Sequence, residues 1–208
     1  MLLAEDHAIV IEGLRQVLQP ECEIVGEVAD GRALVAAVEK LRPDVIIADI
    51  SMPLLNGIEA ARQIRKIDSK VKIIFLTMHP DVTYAAEALL AGGSGYVLKS
   101  AAGRRILEAL RQVMNGQIYV TPSIDREVLE AQMERVNRRD STQFELTPRQ
   151  REVLQLIVEG RSSKEVAEIL HVSPRTVEFH KYRMMEALGL RSTAELVQYA
   201  VKHGIISH

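Results

Sequence analysis

The sequence is poor in cysteine and in aromatic residues. Of its 208 residues, one is cysteine, none is tryptophan and 4% are aromatic. The single cysteine, Cys22, excludes an intrachain disulfide and is typical of a reducing compartment. We therefore expect a cytoplasmic protein whose stability rests on packed apolar cores.

Long apolar runs and glycine-rich loops are also missing. No stretch approaches the roughly 18 consecutive apolar residues that a membrane-spanning helix needs. The first residues, MLLAEDH, lack the basic flank of a signal peptide. Without a glycine-rich phosphate loop, the sequence does not resemble nucleotide-hydrolysing P-loop proteins. No membrane partner is expected.

What the sequence does contain is an ordinary globular composition with an uneven charge. Hydrophobic residues make up 47% and charged residues 26%, which argues against disorder. The net charge is −2 over residues 1–121 and +2 over residues 147–208. A mildly basic last third permits nucleic acid as a partner without requiring it.

The first 120 residues alternate short apolar runs with amphipathic helical patterns. The apolar runs cover residues 2–4, 24–28, 45–48, 72–77 and 95–98. Five such βα units predict an α/β fold, a doubly wound five-stranded parallel sheet with helices on both faces. Folds of this type place their sites at the carboxyl ends of the strands.

The rest of the chain changes character twice. Residues 122–144 are polar, with weak helical periodicity over residues 124–136, and predict a partly helical linker. Residues 145–208 predict a small all-α domain of four helices. The signals for these helices are four N-caps and two terminating glycines: Thr147, Ser162, Ser173, Ser192, Gly160 and Gly189.

Polar side chains collect at the ends of the predicted strands. Glu5 and Asp6 follow the first strand and Asp49 ends the third, so we expect these carboxylates to converge. Converging carboxylates repel one another unless a cation lies between them, and oxygen ligands of this kind suit Mg²⁺. Thr77 and Lys99 would add a hydroxyl and a cation from the fourth and fifth strands.

This set of residues is suited to phosphoryl transfer. A carboxylate can attack a phosphoryl group and form an aspartyl phosphate, while the metal, Lys99 and Thr77 neutralise its oxygens. Taken singly, each residue also has an ordinary interpretation: Asp49 as a helix cap, Thr77 as structural, Lys99 as a solvated charge. Their combination at four strand ends favours a phosphoacceptor site at Asp49.

Residues 1–121 resemble the receiver domain of two-component response regulators. The similarity is carried by the segments AEDH, ADISMPLLNG, FLTMH and GYVLKSA. It implies a flavodoxin-like fold in which a sensor histidine kinase phosphorylates Asp49. It also implies that Asp6 binds Mg²⁺ directly, that Glu5 acts through water, and that the Ser51 backbone carbonyl is a further ligand.

The same resemblance assigns a switch. Thr77 and Tyr96 match the switch pair, and Lys99 matches the pocket lysine. On phosphorylation, Thr77 would move towards the phosphoryl group and the Tyr96 ring would turn inward, changing the surface of the fourth helix, fifth strand and fifth helix. Two departures are a Glu at position 5, expected to change Mg²⁺ affinity modestly, and a short first strand, which leaves open whether residues precede Met1.

In the last third, SKEVAEIL, a short HVS turn and a helix from Pro174 predict a helix-turn-helix. The second helix of this motif enters the major groove. At 100° per residue, Val177 and Met184 form a core stripe with Leu188, whereas Phe179 points outward. An outward aromatic predicts base contact, and the alternatives are a dimer contact or a ring without a role.

We predict Glu178, Phe179 and Tyr182 as base readers. The predicted phosphate contacts are Lys164, Thr176, His180, Lys181 and Arg183. Lys181 lies close to the core stripe, so it could instead only extend past that stripe to solvent.

The last domain resembles the LuxR-type helix-turn-helix through LTPRQREVL, GRSSKEVAEIL, SPRTVEFH and LGLRSTAELVQYA. The whole chain resembles the NarL/FixJ class of response regulators. This resemblance implies binding to double-stranded promoter DNA as a homodimer, at least when phosphorylated, with residues 193–203 in the dimer contact.

The expected function is a phosphorylation-controlled transcription regulator rather than an enzyme. One alternative is a phosphatase with an aspartyl nucleophile, but such enzymes carry a second carboxylate two residues later, where this chain has Ser51. Another is a regulator that ignores phosphorylation, against which the intact set of pocket residues argues.

Overall fold

The computed structural model describes residues 1–137 and 146–202. Contacts divide the chain into two units, Met1–Arg138 and Arg139–His208, and each is described by itself. Within the described residues, no helix combines the length and the apolar character that crossing a bilayer requires.

In the first unit, strands and helices alternate along the chain. They are β1 (Leu2–Ala4), α1 (Ala8–Leu18), β2 (Gly26–Val28), α2 (Gly31–Leu41), β3 (Val45–Asp49), α3 (Gly57–Ile67), β4 (Lys72–Thr77), α4 (Val82–Leu90), β5 (Gly95–Leu98), α5 (Ala102–Met114), β6 (Tyr119–Val120) and α6 (Arg126–Asn137). A 3-10 turn, Lys99–Ala101, joins β5 to α5.

The described strands form one parallel sheet in the order β2-β1-β3-β4-β5-β6. This confirms the predicted doubly wound α/β fold, with one correction: the sheet has six strands rather than five. The additional strand β6 has two residues, which pair with Gly95 and Tyr96 of β5. Two residues are too few to show the alternation from which a strand is predicted.

Alternate strand residues pack into two cores on opposite faces of the sheet, because side chains along a strand point to opposite sides. One core unites Ile46 and Phe75 with α2, α3 and α4. The other unites Ile47 and Ile74 with α1 and α5. Covered on both faces, the central strands have a largely apolar interior, and polar groups collect where the strands end.

The helix predicted within the linker is present as α6, and it packs against α4 of the first unit. Leu129 of α6 and the preceding Ile124 are buried in the core that also holds Ala85 and Leu89 of α4. These residues belong to the first unit rather than to an extended connection. The rest of the predicted linker, residues 138–144, lies outside the described residues.

The second unit contains α7 (Pro148–Val158), α8 (Ser163–Leu170), α9 (Pro174–Leu188) and α10 (Thr193–Lys202). The predicted caps are confirmed: Thr147, Ser162 and Ser173 accept from backbone amides three residues later, as does Ser192. Gly160 and Gly189 follow α7 and α9 with positive φ. A three-residue turn, His171 to Ser173, separates α8 from α9, as a helix-turn-helix requires.

Candidate functional site

Parallel pairing brings Glu5 and Asp49 to one edge of the sheet. In the β1–β3 ladder Ala4 lies opposite Ala48, so the residues that follow them emerge side by side. Both carboxylates are almost completely buried, with 3% of Glu5 and 2% of Asp49 exposed. Two buried carboxylates at this distance from solvent require a positive partner.

Lys99 is that partner. Its Nζ lies 2.8 Å from Oδ2 of Asp49, and 2.9 Å and 2.8 Å from the two carboxylate oxygens of Glu5. Burial alone would lower the pKa of Lys99, but its hydrogen bonds to Asp49 and Glu5 outweigh burial and raise that pKa above its usual value. The contact with Asp49 was predicted from the sequence, whereas the bridge to Glu5 was not.

His7 is a residue that sequence reasoning missed. Its Nδ1 lies 2.8 Å from Oε1 of Glu5 and 2.8 Å from Oδ1 of Asp6. The hydrogen bond to Glu5, followed by the charge of Asp6, raises the pKa of His7. The only available signal was its position in the segment AEDH, directly after the two acids.

The acidic edge has a composition that suits a hard divalent cation. Glu5, Asp6, His7 and Asp49 each offer a ligand atom, and these atoms lie within 4.8 Å of one another. Among the described residues, no donor makes a hydrogen bond to Oε2 of Glu5, although Lys99 lies close to it. Carboxylate oxygens are the ligands that Mg²⁺ prefers, so the residues fit this ion. Ser51 lies half-buried in the loop two residues beyond Asp49.

The loop after Asp49 depends on a close approach of α3 to the strand end. The Gly57 amide donates to the Ile50 carbonyl at 2.9 Å. A Cβ on Gly57 would lie 2.2 Å from the backbone oxygen of Asp49, so no other residue fits without moving the strand end. Asn56 caps α3 through the Glu59 amide. The acceptor backbone is thereby fixed from both sides.

Thr77 and Tyr96, the predicted switch pair, are both completely buried. The Thr77 Oγ1 accepts from the His79 amide at 3.1 Å, and the Tyr96 hydroxyl donates to the His79 carbonyl at 2.8 Å. Burial raises the pKa of Tyr96 well above its usual value, so the phenol remains a donor. The two side chains are therefore joined through one loop residue.

On α9, the predicted separation of an inner and an outer face is confirmed. Val177 and Met184 are completely buried, and Leu188 is half-buried. Phe179 and Tyr182, in contrast, are 59% and 62% exposed. Two large aromatic side chains thus stand on the outer face of the second helix of the helix-turn-helix.

Three other residues of this face are linked to one another. The Glu178 carboxylate accepts from Ser163 of α8 and lies 2.7 Å from the Nζ of Lys181. Lys181 lies 5.4 Å from the centre of the Tyr182 ring and is largely covered. The hydrogen bond to Lys181, then that to Ser163, lowers the pKa of Glu178. Sequence reasoning did not foresee these contacts.

The remaining predicted phosphate contacts differ in exposure. Lys164 and Arg183 are exposed, and Thr176 and His180 are half-buried. Thr176 shares a hydrogen bond with Ser173 at the start of α9. Burial, with a smaller contribution from Arg149, lowers the pKa of His180. A neutral His180 could still donate a hydrogen bond to a phosphate but would contribute no charge.

Sequence comparisons cover both units. Residues 1–111 match the family described as response regulator receiver domain, and residues 145–200 match the family described as bacterial regulatory proteins, luxR family. The chain is 33% identical to the response regulator UvrY of Escherichia coli (strain K12), over 99% of this chain and 94% of that protein. It is 37% identical to the oxygen regulatory protein NreC of Staphylococcus aureus (strain JH9), over 99% and 98%.

Solved structures give the same picture. RcsB from Salmonella enterica serovar Typhimurium, bound to promoter P1flhDC in the presence of the phosphomimetic BeF3−, is 29% identical with a TM-score of 0.63 and covers 97% of each chain. A structure of two RcsB dimers bound to two parallel DNAs is 30% identical with a TM-score of 0.55 and covers 95% of each chain.

Proposed function

Because the chain belongs to the NarL/FixJ class of response regulators, with a receiver domain and a LuxR-type DNA-binding domain, we propose that Asp49 accepts a phosphoryl group from a sensor histidine kinase and that this controls binding to promoter DNA. The observation that carries the proposal is the buried Asp49 carboxylate held 2.8 Å from Lys99 at the carboxyl edge of the sheet.

The arrangement supports attack by Asp49 on phosphorus. A carboxylate oxygen of Asp49 forms the new P–O bond while the P–N bond to the kinase histidine breaks. Lys99 is already in contact with Asp49, so it can follow a phosphoryl oxygen with little movement. The Thr77 hydroxyl can donate to another oxygen. Positioning and charge neutralisation are the main requirements of such a transfer.

Mg²⁺ is proposed as the cofactor, held by Asp6, Asp49 and the Ser51 carbonyl, with Glu5 nearby. When bound, the ion would neutralise charge on the transferred group. The oxygen-rich edge and the unshared Oε2 of Glu5 support this assignment. Burial fixes Glu5 and Asp49 in place before any ligand arrives, which lowers the cost of organising the site.

The second unit is proposed to bind double-stranded promoter DNA with α9 in the major groove. Phe179, Tyr182 and Glu178 would read bases. Phosphate contacts would come from Lys164, Thr176, His180, Lys181 and Arg183. The exposed aromatic pair supports this proposal, since rings of this size on a solvent face call for a partner.

The protein is proposed to act as a homodimer when phosphorylated and to have no enzymatic activity of its own. The solved structure of RcsB dimers on DNA supports the dimer. α10 supports it less directly, because it is in place over Thr193–Lys202, whereas His203 of the predicted contact lies outside the described residues. We propose residues 1–121 as receiver and 145–208 as DNA-binding domain, and both matched families lie within these bounds.

The test is the intact mass of the full chain with acetyl phosphate and Mg²⁺, followed by a DNA selection and titration. The parent should gain one phosphoryl group and bind DNA more tightly. Asp49→Asn should gain none, and the matched variant Asp44→Asn, an exposed residue before β3, should behave as the parent. Release of phosphate over many turnovers would instead support the phosphatase, and a phosphoryl group on Asp49→Asn would exclude Asp49 as the acceptor.

A further inference from the structure

His79, in the loop between β4 and α4, has contacts that the switch pair alone does not explain. Its amide donates to Oγ1 of Thr77 at 3.1 Å, and its carbonyl accepts from the Tyr96 hydroxyl at 2.8 Å. Its ring stacks on that of Tyr84, with centroids 4.9 Å apart and planes inclined by 13°. One residue therefore contacts both members of the switch pair and a helix beyond them.

Tyr84 carries the contact into α4. It is half-buried and packs against the core that α4 shares with α6. Leu129 of α6 is buried in that core, and Met133 packs against it. A series of direct contacts thus runs from the Thr77 hydroxyl, through His79 and Tyr84, to the helix that precedes the second unit in the sequence.

We propose that His79 is a positioning residue of the phosphorylation response, whose ring transmits the displacement of Thr77 to α4 and α6 through Tyr84. This inference rests on the proposed function, because it takes phosphorylation of Asp49 as the event that moves Thr77.

The physical reason is the way the His79 backbone and ring are held. If the Thr77 hydroxyl turns to a phosphoryl oxygen, the His79 amide loses its acceptor, while its carbonyl stays bonded to Tyr96. The loop must then shift, and the ring moves with it. A stacked pair in a close-packed setting passes such a shift on, because its partner cannot stay in place without losing contact.

A purely structural role for the stack makes different predictions. If the His79 ring only stabilises the start of α4, its removal lowers the free energy of unfolding but leaves the response to phosphorylation intact. Measuring stability alone would not separate the two roles, so the response itself has to be measured.

The experiment uses the full chain and three variants, His79→Ala, Tyr84→Ala and His79→Phe. None of them removes the two backbone hydrogen bonds of His79, and His79→Phe keeps a flat ring for the stack. Met78→Ala is the matched control, because Met78 is adjacent and 69% exposed. For each protein, phosphoryl uptake from acetyl phosphate with Mg²⁺ is measured by intact mass, and affinity for a selected DNA duplex is measured before and after.

We expect all variants to take up one phosphoryl group and to bind DNA as the parent does when unphosphorylated. The tightening on phosphorylation should be reduced in His79→Ala and Tyr84→Ala by a factor of roughly 5–150, the usual range of coupling between sites. His79→Phe and Met78→Ala should retain most of it.

A second readout uses the absence of tryptophan from the sequence. In Tyr84→Trp, acetyl phosphate should change the emission of the single indole, because its environment moves with His79. The double variant His79→Ala, Tyr84→Trp should show no such change.

The outcomes separate this inference from the proposed function. A parent that neither gains phosphate nor tightens on DNA overturns both. A parent that responds, together with a His79→Ala variant that responds equally, overturns only the role of His79. Loss of phosphoryl uptake in a folded His79→Ala protein also overturns it, because His79 would then act on the chemistry.

Discussion

The acceptor edge of the first unit and the outer face of α9 distribute their functional groups in opposite ways. At the acceptor edge, Glu5, Asp49 and Lys99 are buried and satisfy one another's charge. On α9, Phe179 and Tyr182 are mostly exposed and wait for a partner. The acceptor edge is thus part of the folded core, so changes there should affect stability and function together. Changes on α9 should affect binding alone.

The largest effect is expected for Lys99→Ala. The change leaves two carboxylates buried without their cation, which typically costs about 3–5 kcal/mol in the free energy of unfolding. Urea unfolding without metal measures it, with the exposed Lys70→Ala as control, expected to lie within about 0.5 kcal/mol of the parent. Millimolar Mg²⁺ should stabilise Lys99→Ala more than the parent. Equal stability of the two lysine variants would mean that the buried pair does not need Lys99.

The contribution of Lys99 should also depend on pH, with a predictable sign. Its pKa is raised on folding, so its contribution is complete below the unfolded pKa of about 10.4 and is lost as pH rises through the folded pKa. The difference in stability between parent and Lys99→Ala should therefore be constant through neutral pH and shrink in alkali. A difference that grows with alkaline pH would contradict the assigned contacts.

Two arginines sharpen the same comparison. Arg65 of α3 donates to the backbone carbonyls of Val71 and Gly92 at 2.6 Å and 2.5 Å, whereas the side chain of Arg183 on α9 is 63% exposed. Arg65→Met should cost about 1–3 kcal/mol of stability, because it leaves carbonyls without donors. Arg183→Met should leave stability within about 0.5 kcal/mol.

The effects on DNA binding should be reversed. Arg183→Met should lower the slope of log affinity against log salt by about 0.9, the value for one lost phosphate contact. Arg65→Met, where folded, should keep the parent slope. Thermal unfolding and salt titrations measure both quantities, and a stability loss in Arg183→Met that matches that of Arg65→Met would contradict the division between the two regions.

How much of each region the sequence predicts follows from the same difference. The positions of Asp49, Glu5, Thr77 and Lys99 at one edge could be predicted, because parallel strands that end on polar residues leave few other arrangements. The bridge from Lys99 to Glu5 could not, since it depends on a side-chain path set by packing. β6 escaped prediction because two residues carry no periodicity.

α6 shows another limit of sequence reasoning. Its helical periodicity was visible, but its packing against α4 was not, because a polar segment with a few apolar residues reads equally well as a connection. Only the burial of Leu129 and Ile124 places it with the first unit. On α9 the caps and the 100° spacing were enough to separate Val177 from Phe179, since both rules are local.

Phe179→Ala tests whether the exposed face is used for base contact. Stability should stay within about 0.5 kcal/mol of the parent. Affinity for a selected duplex should fall by about 1–3 kcal/mol, the scale of one lost base contact. The loss should be smaller on a duplex with uracil in place of the contacted thymine, whose methyl group the ring would touch. Val128→Ala, an equally exposed apolar residue on α6, is the control. An unchanged affinity would favour the dimer contact or a ring without a role.

The smallest effect is expected for Glu178→Gln. The ion pair with Lys181 is partly exposed, so its loss should cost only about 0.3–0.5 kcal/mol. The pKa of Glu178 is lowered on folding, so the pair contributes above the unfolded pKa of about 4.3 and is lost as pH falls through the folded value. Parent and variant should therefore converge in acid, as urea unfolding at several pH values would measure.

The same variant ranks Glu178 as a base reader. Its carboxylate is engaged by Ser163 and Lys181, so contact with a base requires giving up part of that arrangement. We expect Glu178→Gln to change base preference less than Phe179→Ala in a parallel DNA selection. An equal or larger change would mean that DNA releases the carboxylate from Lys181, and that the outer face of α9 is reorganised when it binds.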